Sequence, residues 1–62
     1  MKQNYEEYIN RLNEVIALSE EILAKGYNKE NYAEEAIHDE ILWLSINLKN
    51  TKENVEIFSK NN

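Results

Sequence analysis

The chain has 62 residues and a formal net charge of −5. That length allows one domain at most, and the acidity withholds the basic stripe that phosphate contacts demand of a nucleic-acid reader, so direct DNA or RNA binding is not expected. With no cysteine and a single histidine, disulfides, thiolate zinc sites and a histidine-rich metal cage within one chain are excluded.

A domain this small hides only roughly 60% of the surface its unfolded chain exposes. Small scaffolds make up the deficit with disulfides, a metal or a partner. Of these, self-association or a partner protein remains. No run of about 18 apolar residues exists to span a membrane, and Met1-Lys2-Gln3-Asn4-Tyr5-Glu6-Glu7 has no apolar signal region. A cytoplasmic location is expected by default. Ten asparagines, many Lys, Ile and Glu residues and no proline suggest an AT-rich coding sequence, as in a low-GC bacterium or its phages and plasmids.

Helix signals begin at Asn4, an N-cap acceptor three residues before Glu7, a variant of the capping box. Tyr5, Tyr8, Ile9, Leu12, Val15, Ile16, Ile22 and Leu23 then recur at helical period. Ser19 interrupts this stripe with a small polar side chain. The pattern predicts a first helix over about 4–25. Gly26 stands where a helix end wants a left-handed residue, and Tyr27 is placed to fold back on Ile22 as the apolar contact of a Schellman-type cap. The turn is set at 26–29.

The second helix is predicted over about 30–59, with Asn31-Tyr32-Ala33-Glu34 repeating the capping logic and a frayed tail at 60–62. Its core stripe reads Ile37, Ile41, Leu44, Leu48, Thr51, Val55 and Phe58, in steps that alternate four and three for three heptads. The fold class is therefore all-α: an antiparallel two-helix hairpin, expected to dimerise into a four-helix bundle. Helix 2 is longer by roughly 10 Å at 1.5 Å per residue. Folding at a tight turn sets Tyr5 near Asn50 and leaves Val55 and Phe58 past the end of helix 1, where they need cover from a second chain.

Helix 2 is apolar on more than one face. At about 100° per residue, Ile37, Ile41, Leu44 and Leu48 fall within about 60° of each other, while Glu35, His38, Leu42 and Ile46 form a row about 140° away with Trp43 beyond it. One partner helix covers one stripe, so a lone hairpin leaves Leu42, Trp43 and Ile46 exposed. Burying these three side chains contributes on the order of 5 kcal/mol, comparable to the whole stability of a small domain. This face is expected to be the seam of the dimer, or else the docking site of a different protein with Trp43 as anchor; the expected interface residues are Leu42, Trp43 and Ile46, with Val55 and Phe58.

Acids crowd the turn end. Glu34, Glu35, Asp39 and Glu40 are placed to steer a basic partner, and the imbalance between the two ends favours an antiparallel homodimer over one that stacks acidic ends. The reading is a small non-enzymatic interaction module with no cofactor: a regulator or inhibitor of the immunity-protein or antitoxin kind, acting on a protein partner. Two other readings compete. Glu35-Ala36-Ile37-His38 is the Glu-x-x-His half of a ferritin-like carboxylate–histidine site, which Glu20 or Glu21 from helix 1 could complete. The net charge of −5 also admits an acidic DNA-mimicking inhibitor. No nucleophile, base and orienting group are spaced as a catalytic set, and a turn with one glycine is no phosphate-binding loop.

Overall fold

The computed structural model describes residues 5–61. Two helices, α1 (Glu6–Ala24) and α2 (Tyr32–Asn61), pack against each other as a thin rod of 54 × 14 × 12 Å. The pairing is antiparallel, because Glu20 meets Lys49 while Leu23 meets His38, further along α1 and further back along α2. The proposed cap at Asn4 lies outside the described residues. Tyr5 occupies the N-cap position of α1 without a side-chain cap bond. Its carbonyl accepts the first helical bond from the Ile9 amide at 3.0 Å, and Glu6 and Glu7 in the first turn complement the helix dipole.

α1 ends at its glycine. Gly26 has φ +71° and its amide donates to the Leu23 carbonyl at 3.1 Å, while the Lys25 amide donates to Ile22. Both bonds span three residues and tighten the last turn in 3₁₀ fashion ahead of the left-handed glycine. Tyr27 shares one small hollow with Ile22, the expected apolar contact. The connection is longer than the expected turn. It runs from Lys25 through Asn31, and the chain reverses only at a β-turn in which the Asn31 amide donates to the Asn28 carbonyl at 2.9 Å. The side-chain oxygen of Asn28 accepts from the Glu30 amide, and that of Asn31 accepts from the Ala33 and Glu34 amides at 3.1 and 3.2 Å, capping α2.

This longer connection resets the register. The Leu23–His38 and Glu20–Lys49 contacts, carried along both helices, put Ser19 at about the level of Ser45, Ile9 near Val55 and Tyr5 near Ser59. Tyr5 therefore does not sit beside Asn50, and Val55 does not overhang: it is half-buried, as are Ile9 and Tyr5. The surplus length of α2 lies at the turn end, where its first turns run beside the connection instead of α1. At the other end α2 continues in helix through Asn61, so residues 60 and 61 belong to it.

The seam is also turned from the predicted stripe. On α1 and its N-cap the covered positions are Tyr5, Ile9, Leu12, Ile16, Ser19 and Leu23; on α2 they are His38, Ile41, Ser45, Leu48, Lys52, Val55 and Ser59, with Glu56 half-buried beside this row. Both step in alternating fours and threes, the spacing of knobs-into-holes packing. Ile41, Leu48 and Val55 were in the predicted core; Ile37, Leu44, Thr51 and Phe58 were too, and all four are exposed. The reason is close approach. Ser45 is 2% exposed and Ser19 5%, and small side chains at one level let the backbones come together, whereas Leu44 there would hold them apart. The Ser19 hydroxyl donates to the Ile16 carbonyl at 2.7 Å, so its burial leaves no orphan donor.

Candidate protein-interaction site

Among the described residues Ile16 is the one buried large apolar side chain, against twelve large hydrophobic residues left exposed. The core is thus a single seam, and the question is how the exposed apolar residues are arranged. Helical phase answers it. On α1, Tyr8, Val15, Leu18 and Ile22 lie about 95° from the seam; on α2, Ile37, Leu44 and Phe58 lie about 80° from it, both toward lower phase. On antiparallel helices a rotation of like sign carries side chains to the same side of the pair. The two rows therefore form one broad apolar face along the hairpin. The hollow shared by Ile22, Ile37 and Ile41 joins the two rows at the turn end.

Opposite this face the surface is polar at the far end and apolar near the turn. A groove of about 530 Å³ lies between Asn13, Ala17 and Glu20 on one wall and Lys49, Lys52, Glu53 and Glu56 on the other. Nearer the turn, Leu42 and Ile46 stand over Leu23, Ala24 and Ser45, with Glu20 and Lys49 closing the edge. The Glu20–Lys49 pair is 3.5 Å apart and about half exposed on each side, so it contributes roughly 0–1 kcal/mol.

The five expected contact residues are therefore divided by the fold. Leu42 and Ile46 share the second face at 44% and 41% exposure. Trp43, 65% exposed, points almost directly away from α1 and lies in phase between Ile57, about 40° to one side, and Phe58, about 60° to the other. Phe58 belongs to the broad face, and Val55 borders it from the seam. The contribution of α1 to that face went unread. Its signal was the i, i+7 repeat of Tyr8, Val15 and Ile22, which runs beside the Leu12–Ile16 stripe and not within it.

The acids Glu34, Glu35, Asp39 and Glu40 are all exposed at the turn end. Glu34 borders the hollow of the broad face, while Glu35 and Asp39 lie beside Tyr32 and Ala36 on the outer side of α2. His38 is not part of that outer row. It is half-buried at the edge of the seam, its ring 4.6 Å from that of Tyr27 and its Nε2 3.4 Å from the Leu23 carbonyl. A carbonyl only accepts, so Nε2 is the donor in that contact. The Glu35–His38 pairing with Glu20 or Glu21 is thereby undone, because the imidazole is turned into the hairpin end. Among the described residues no group of three or more His, Asp or Glu side chains gathers in a way that could hold a metal ion. No helix among them is long and apolar enough to cross a membrane. Set against family models, curated proteins and solved structures, the chain matches none.

Proposed function

We propose that this chain is a non-enzymatic protein-interaction module of the cytoplasm of a bacterium or its phage, which self-associates into a four-helix bundle and acts as a regulator or inhibitor by binding another protein. One observation carries the reading: among the described residues twelve large apolar side chains are exposed around a core with one buried apolar residue. Contiguous exposed apolar surface on a small protein marks an interaction site. Here it also marks what the fold lacks for stability, since a two-helix seam of this size leaves a marginal domain. Trp43, with Leu42 and Ile46, is the anchor for the protein partner, tryptophan being enriched among the residues that carry most of the energy of such contacts. The acids at 34, 35, 39 and 40 favour a partner with a basic surface.

The test has two parts. Light scattering behind a sizing column shows a dimer or larger species. In affinity capture from native lysate, Trp43→Ala loses a protein that the unaltered chain retains, with helix content unchanged by circular dichroism. A stable monomer that retains the same proteins with and without Trp43 overturns the reading.

A further inference from the structure

We infer that the second copy seats on the broad face built by both helices, with the two turns at opposite ends, and that the Leu42–Trp43–Ile46 surface stays outside the dimer. The inference rests on the proposed self-association and goes further by fixing which face is used and how the copies are related. Area is the first argument. The chain exposes 5239 Å², whereas a compact monomer of 7.4 kDa exposes about 4,200 Å² by the surface–mass relation. The excess, about 1,000 Å², compares with the roughly 800 Å² that each partner gives to a standard stable interface.

Continuity is the second argument. Tyr8, Val15 and Ile22 on α1 repeat every seven residues, as do Ile37, Leu44 and Phe58 on α2 with Thr51 between them. Two such rows on the same side of one hairpin offer a second hairpin a seam on each helix. Leu42, Trp43 and Ile46 instead turn through about 100° around α2 alone and have no matching row on α1. They make a patch for one partner element but no two-helix seam.

Charge sets the symmetry. The half of the hairpin nearer the turn carries Glu20, Glu21, Glu30, Glu34, Glu35, Asp39 and Glu40 against Lys25 and Lys29, so the whole net charge of −5 resides there. A two-fold axis along the helices stacks that half on its own copy. An axis across them lays it over the neutral half. In the second arrangement α1 packs on the α1 of the other copy, and Val15, at the middle of its row, comes next to its own counterpart. The aromatic end with Tyr8 and Phe58 then covers the aliphatic end with Ile22 and Ile37.

The experiment compares the full chain with Leu44→Glu, Trp43→Glu and Val15→Cys by equilibrium sedimentation, and the last also by mild oxidation and gel. The expected result is a dimer whose dissociation constant rises at least about tenfold in Leu44→Glu, because each change acts twice across the two-fold, and is unmoved in Trp43→Glu. Val15→Cys oxidises to a covalent dimer that keeps its helix content. If Trp43→Glu dissociates a dimer that Leu44→Glu leaves intact, the face assignment is overturned while self-association stands. If Leu44→Glu dissociates it but Val15→Cys does not cross-link, the crossed axis is overturned. A chain that stays monomeric with intact helices overturns both the inference and the self-association beneath it.

Discussion

Gly26 and Asn31 bracket the connection, and each does something no neighbour can do for it. At φ +71° a side chain at position 26 meets nothing within 4 Å, so the strain of Gly26→Ala comes from the backbone alone. Alanine in the left-handed region costs roughly 1–2 kcal/mol, and urea denaturation should show a loss of that order, with Gly26→Asn losing less. Asn31 holds two amides of α2 through one side-chain oxygen. Asn31→Ala should lose about 1 kcal/mol and Asn31→Asp should keep most of it. Unequal losses in the two aspartate and alanine variants would show that the cap, and not the exposed loop geometry, is what the side chain supplies.

At the scale of the helices, the seam turns on Ser19 and Ser45. Their level with one another and their burial mean that Ser45→Leu must push the helices apart, at a cost of roughly 1–3 kcal/mol. A reading that puts Leu44 in the core expects the opposite, a tolerant Ser45. Urea midpoints for Ser45→Leu and Ser45→Ala decide it: leucine lowers the midpoint and alanine, which fits the same space, does not. This is also where the sequence stops being legible. The helices, the glycine stop and the asparagine cap are local signals and were readable from single residues. The seam's phase was not, because α2 is apolar over an arc wider than one helix can cover, and several rotations within that arc satisfy periodicity alike. Backbone approach chose among them, and nothing in the spacing of Ile37 or Leu44 reports on it. The register slipped for a related reason. A tight turn at 26–29 was the shortest closure, while the Asn28 and Asn31 side chains stabilise a longer one by bonding the amides of Glu30, Ala33 and Glu34. The candidate surface inherited both errors, so Phe58 was grouped with Leu42 and Ile46 although the fold sends them to different sides, and His38 was set on an outer row although it faces Leu23 and Tyr27.

For the whole molecule, the proposed self-association through the broad uncovered face would couple folding to association. If the folded hairpin gains its remaining stability from a second copy, unfolding releases two chains and the melting temperature must rise with concentration. The size of the effect follows from the unfolding enthalpy. At about 0.7 kcal/mol per residue a dimer of this chain unfolds with roughly 90 kcal/mol, so a tenfold increase in concentration raises the midpoint by about 5 °C. A monomeric fold gives no shift. Leu44→Glu should flatten the dependence and lower the midpoint, because it removes the linkage along with the interface. Trp43→Ala should keep the slope, since its side chain turns away from α1 and from the broad face. Melting by circular dichroism over two decades of concentration therefore separates the two apolar surfaces by what each does to folding: under the proposed dimer, changes on the broad face alter the concentration dependence of the midpoint and changes at Trp43 do not.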